Sequence, residues 1–131
     1  MRRALKSTLG IVCAAAMLAA GACGRSRQGH DYTVRGLLVQ APDGRAGLYL
    51  FHEAIDDWVG RDGKAEGMDA MAMPYPVAQG VSLDGLRVND KVEITVHTDW
   101  QSDRPVEVTR IRKLPPETQL VFRAAKPPRN P

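Results

Sequence analysis

An all-β fold, one small five-stranded barrel, is predicted by three features of this 131-residue chain. Short runs of β-branched and apolar residues recur with turn residues between them. No segment after the N-terminus sustains a helical period for three turns. All the candidate strands fall between residues 32 and 114, a length suited to one domain. A closed or nearly closed Greek-key barrel of the OB-like type is the most economical arrangement of five such strands.

The first strand is Tyr32 to Gln40 (YTVRGLLVQ), and Gly36 within it suggests a bulge or a sharp bend. Turn residues Ala41-Pro-Asp-Gly-Arg45 join it to a second strand, Leu48 to Ile55 (LYLFHEAI), as a hairpin. Asp56 to Gly67 is rich in Asp and Gly and reads as a loop. Met71 to Val77 (MAMPYPV) is an extended segment, and Pro74 and Pro76 on one parity fit an edge strand or one with an unpaired side. Leu83 to Leu86 is a short turn or a single helical turn. Lys91 to Thr98 alternates cleanly, with Val92, Ile94 and Val96 facing inward. Val106 to Leu114 is the last strand, and its apolar parity slips between Val108 and Ile111, which predicts a bulge. Residues 114–131 are punctuated by prolines and end in KPPRNP. Only Leu120-Val121-Phe122 could pack there, so a mostly disordered tail is expected.

The N-terminus carries different information. Arg2, Arg3 and Lys6 precede an apolar run from Leu9 to Ala20, followed by small residues. This is the pattern of a secretory signal over residues 1–22, too short for a membrane span. A buried amphipathic helix would show an apolar stripe, whereas these apolar residues run continuously. Cys23 follows Leu18-Ala-Ala-Gly-Ala22, which resembles a bacterial lipobox with Ala20 in place of the usual Leu. Ala20-Gly21-Ala22 also fits ordinary signal peptidase. Lipidation is preferred because Cys13 leaves with the signal, and an unmodified Cys23 would be an unpaired thiol in an oxidising compartment. Residues 23–30 then form a lipidated tether. The expected location is the periplasmic side of the envelope, with membrane contact through the anchor only.

Export changes the charge argument. The chain has 18 basic and 15 acidic side chains, and three of the basic ones but none of the acidic ones lie in residues 1–22. The exported part is therefore balanced, and the basic pI gives no support for nucleic-acid binding.

The segment Met68-Asp-Ala-Met71-Ala-Met73-Pro-Tyr75 holds every methionine outside the signal. Residues i and i+2 of a strand share a face, so Met71 and Met73 point the same way with Cα atoms roughly 6.5 Å apart. Thioethers are soft and neutral, and they select Cu(I) over hard ions. Unlike thiolates, they do not form disulfides in an oxidising compartment. Methionine clusters also fill cores and adaptable interfaces, so the spacing alone leaves both readings open. His52 lies on the inward parity of Leu48 and Leu50, at the end of an apolar run near a barrel mouth. It could be a hydrogen-bonded core residue or, when neutral, a copper ligand. His30 in the tether and His97 on the outer parity are expected to be solvated.

At these residues the chain resembles the CusF-like periplasmic copper-binding proteins, and in particular the copper-binding lipoproteins related to them. The similarity rests on Tyr32-Thr-Val34-Arg-Gly36, His52-Glu-Ala-Ile55, the Met68-to-Tyr75 segment, and Asn89-Asp90-Lys-Val92. It spans about residues 31–113. The resemblance implies an OB-like barrel that binds Cu(I) or Ag(I) through one His and two Met, which carries over to His52, Met71 and Met73. The capping Trp of CusF has Met68 at its position here, so Met68 is a candidate third thioether. Trp58 in the preceding loop is a candidate capping aromatic, or a cover for the end of the barrel. Set against that family, Val59 to Gly67 is an insertion between the His and Met segments and is expected to form a flexible lid. The resemblance also implies a partner such as a copper efflux system or a Sco/SenC-type oxidase-assembly protein.

Other chemistry finds little support. No nucleophile turn, phosphate-binding Gly loop or zinc-spaced His–carboxylate set is present, so an enzyme is not expected. Asp56, Asp57, Asp62 and Glu66 lack the EF-hand spacing for Ca(II). The expected function is to hold and pass on copper, or to protect against copper and silver. The main rival is a lipid-tethered interaction module that uses the methionine patch without metal.

Overall fold

The computed structural model describes residues 28–43 and 47–128. The expected signal peptide, Cys23 and most of the tether lie outside the described residues.

Five strands form one antiparallel sheet: β1 (His30–Leu38), β2 (Leu48–His52), β3 (Met71–Tyr75), β4 (Lys91–Thr98) and β5 (Val106–Lys113). Their order across the sheet is β3-β2-β1-β4-β5. The described residues contain no helix. The alternation read in the sequence is the cause of the core. Val92, Ile94 and Val96 of β4 are fully buried, as are Leu48 and Leu50 of β2 and Val108 of β5. Burial of aliphatic side chains of this size contributes about 1.5–3 kcal/mol each relative to exposure.

The expected bulge is present. Thr95 pairs with Arg110 while Val96 pairs with Val108, so Thr109 is the extra residue of β5. Its insertion returns Val108 to the core after the parity slip. Gly36 meets a different need from the bulge or bend expected of it, because its pairing with β2 and β4 runs on without a break in register. A Cβ at Gly36 would lie 2.7 Å from the carbonyl oxygen of Phe51 and 2.8 Å from Cγ of Leu50. The glycine therefore allows β2 to lie close on β1, directly beside the Gly36–His52 pair. Gly36→Ala should cost about 1–3 kcal/mol of stability, because the obstructing carbonyl is backbone and cannot swing aside. Denaturant unfolding with an unchanged m-value would measure this.

The sheet does not close into the expected barrel. Its two edges meet at one parallel bridge, Val77 with Val108. The Val108 N–H donates to the Pro76 carbonyl at 2.7 Å, and the Ala78 N–H donates to the Val108 carbonyl at 2.9 Å. Pro74 and Pro76 have no N–H to offer, so β3 cannot extend a full ladder toward β5.

Two segments behave differently from the sequence expectation. The stretch after Trp58 folds back as a small hairpin, with a bridge between Val59 and Ala65. The Trp100 indole N–H donates to the Val59 carbonyl at 3.1 Å, and the Val59 N–H donates to the Tyr32 hydroxyl at 3.0 Å. The base of the hairpin is thus pinned to the core rather than hinged as a lid.

Residues 114–128, expected to be mostly disordered, follow a defined path without helix or strand. Leu114 is buried, and its N–H donates to the Lys91 carbonyl at 2.8 Å. The Lys91 ammonium donates to the carbonyls of Pro116 and Thr118. The Phe122 ring stands edge-on to Phe51, with centroids 4.4 Å apart. Composition does not report such order, because it comes from long-range partners offered by the sheet and its loops.

Candidate functional site

The β2–β3 ladder places the residues singled out in the sequence. His52 is paired with Met71, Leu50 with Met73, and Leu48 with Tyr75. Residues directly opposite in an antiparallel pair project to the same face, with Cβ atoms about 4.5–5.5 Å apart. His52, Met71 and Met73 therefore share the core face of the sheet at the end of β2. The alternation behind this is simple. The Leu48, Leu50 and His52 parity is buried throughout, and Met71, Met73 and Tyr75 lie across from it, one by one.

His52 is fully buried. Its Nδ1 lies 2.6 Å from the carbonyl oxygen of Glu53. A carbonyl only accepts, so Nδ1 carries the proton and donates. Burial lowers the imidazole pKa below its usual 6.5, and the Glu53 hydrogen bond opposes this only in part. The ring is thus neutral near pH 7, with a bare lone pair on Nε2. That atom is buried and has no hydrogen-bond partner among the described residues. An unpartnered buried polar atom costs about 1–3 kcal/mol, so its presence needs a reason.

Glu53 is itself held firmly. Its N–H donates to the Arg35 carbonyl at 2.8 Å, and its carboxylate accepts two bonds from the Arg35 guanidinium at 2.8 and 2.9 Å. The carbonyl that fixes the imidazole tautomer is therefore anchored on both sides. Second-sphere anchoring of this kind orients a ligating histidine. Sequence reasoning gave Glu53 no role, although it follows His52 in the His-Glu-Ala-Ile motif.

The methionines differ in exposure. Met71 is 44% exposed, whereas Met73 is half-buried and packs on the core. The face is thus sealed on the His52 side and open on the Met71 side. Met68 sits across a bridge from Ile55, bonded both ways through the backbone, and packs partly buried against the core. Tyr75 closes the inner end of the face. Its ring stands edge-on to the His52 ring with centroids 5.7 Å apart. The Tyr75 hydroxyl is also buried without a partner, and burial pushes its pKa far up, so it stays protonated.

Trp58 is buried against Tyr32 and Trp100, with ring centroids at 4.9 and 6.1 Å. These contacts give it a role in covering the end of the sheet. His30 is exposed, as expected. His97 is not the solvated residue its parity suggested. It is 8% exposed, and its Nδ1 lies 2.7 Å from the Asp31 carboxylate. The acidic residues Asp31 and Glu107 are its cross-strand neighbours. Among the described residues, no group of three or more His, Cys, Asp or Glu side chains converges on a point suited to a metal. Asp56 of the acidic loop is instead paired with Arg123 through two bonds of 2.7 Å.

Comparison of the chain with family models, with curated proteins and with solved structures returned no match.

Proposed function

We propose that this protein binds Cu(I) or Ag(I) through His52, Met71 and Met73, and holds or hands over the ion on the extracytoplasmic side of an envelope. The observation that carries the reading is the bare, buried Nε2 of His52 on the face it shares with Met71 and Met73. A neutral imidazole nitrogen and two thioethers form a soft, uncharged donor set, which suits a monovalent soft ion. Exposure of Met71 gives an incoming partner a ligand to displace first, as stepwise transfer requires. Met68 and Trp58 are secondary candidates beside this set. On this reading the chain is of the CusF-like type, and Cys23 carries the lipid. A copper efflux or oxidase-assembly protein is the partner class that fits.

Titration of the apo protein with Ag(I) against a competing chelator tests the proposal. Tight binding at one equivalent supports it. Absence of binding, with the fold intact, favours the rival interaction module.

The pH dependence adds a sharper criterion. Ligation needs the unprotonated imidazole, and the folded pKa lies below 6.5. Affinity should therefore hold steady as pH falls through about 6.5. It should then fall by roughly tenfold per pH unit below the lowered value, where a proton competes with the ion. Weakening that begins above 6.5, or none down to acid unfolding, would remove His52 from the ligand set.

A further inference from the structure

We infer that the C-terminal segment 119–126 is a clasp that positions the His-bearing and Met-bearing strands of the site, with Phe122 and Arg123 as its positioning residues. The inference rests on the soft-metal reading above.

The two ligand strands need such a device. An 18-residue connection separates His52 from Met71, and the ladder between the strands is five residues long and lies at the sheet edge. Short edge ladders open readily. The segment bonds to both ends of the connection. On the His52 side, the Val121 N–H donates to the Glu53 carboxylate at 2.7 Å. The Arg123 guanidinium grips both oxygens of Asp56, and the Lys126 N–H donates to Asp56 as well, at 2.7 Å. On the Met71 side, the Ala70 N–H donates to the Arg123 carbonyl at 2.9 Å, and the Ala125 N–H donates to the Asp69 carboxylate at 2.7 Å. Arg123 therefore ties one end of the connection with its side chain and the other with its backbone. Phe122 lies edge-on to Phe51, next to His52 in sequence.

The link to the imidazole runs through Glu53. Its carboxylate receives both Arg35 and the segment, and its carbonyl receives His52 Nδ1. Loosening the clasp should let Met71 drift from His52, which lowers the fraction of molecules ready to bind and hence the apparent affinity. The Arg123 neighbour and the Lys126 N–H hold the Asp56 carboxyl down at about 2, so the Asp56–Arg123 pair stays charged as pH falls through the range that titrates an imidazole.

The test uses the full chain and the double variant Phe122→Ala/Arg123→Glu, which removes the ring contact and turns the ion pair into a repulsion. Ag(I) affinity should drop about threefold or more, from the loss of an ion pair and the shifted population. By linkage, Ag(I) bound to the unaltered protein should slow hydrogen exchange at the Ala70 and Ala125 amides, which a purely structural tail would not do. If the double variant fails to fold, Asp56→Asn replaces it, since it breaks the charged pairing while keeping the side-chain shape. Unaltered affinity in a folded variant whose Ala125 amide exchanges faster overturns the clasp alone. Failure of the unaltered protein to bind Ag(I) overturns the metal reading, and the clasp with it.

Discussion

Replacing Met71 and Met73 together by leucine is expected to weaken Ag(I) and Cu(I) binding by on the order of 100-fold or more. Loss of a partner outside the ligand shell already costs 10–100-fold in metal sites, and loss of the ligands themselves should cost at least as much. Leucine is the informative replacement because it removes sulfur at nearly constant volume. Such exchanges cost less than about 1.5 kcal/mol in a packed setting. Met73 packs on the core and Met71 is 44% exposed, so the fold should persist with little change in Tm. A competition titration beside a thermal melt separates the two effects. Equal affinity in the double leucine variant would mean that the methionines only fill space.

His52→Leu has an expected effect of the same size on binding and an unusual one on stability. A structural histidine loses stability when replaced, because its hydrogen bonds are lost. His52 donates one bond, to the Glu53 carbonyl, and buries a second nitrogen with no partner. Losing the bond costs about 0.5–1.5 kcal/mol, while removing the orphan nitrogen recovers about 1–3 kcal/mol. The variant should thus be as stable as the parent or more stable by about 1 kcal/mol, while metal binding is weakened as strongly as in the double leucine variant. The advantage should grow as pH falls. Because the folded pKa of His52 lies below 6.5, the unfolded chain takes up a proton near 6.5 before the folded chain does. The parent is therefore destabilised as pH drops through that value, and the leucine variant has no such term. Denaturant melts of both proteins at neutral and mildly acidic pH check this. A variant weakened by 2 kcal/mol or more would point instead to a packing role.

Much of the sheet could be read from periodicity. Lys91–Thr98 has the bounds expected from its alternation. The slip between Val108 and Ile111 marked the bulge that the structure places at Thr109. The sharing of a face by Met71 and Met73 followed from their spacing. The pairing of His52 with Met71 did not, since it is a register across an 18-residue connection. Closure of the sheet was over-read, because a count of strands does not reveal that Pro74 and Pro76 deny β5 the donors for a ladder. The C-terminal segment was under-read for a related reason. Its order comes from scattered long-range bonds to Glu53, Asp56, Asp69 and Lys91, and these leave no period in the sequence. His97 was misplaced because parity assigns a face but not what covers it.

The most direct measurement is a shift map of the protein's methionine methyl and histidine ring signals as Ag(I) is added. The account expects shifts at Met71, Met73 and the His52 ring, complete at one equivalent, with His30 and His97 unmoved. Shifts centred on His30 or His97, or saturation without any change at His52, would contradict it.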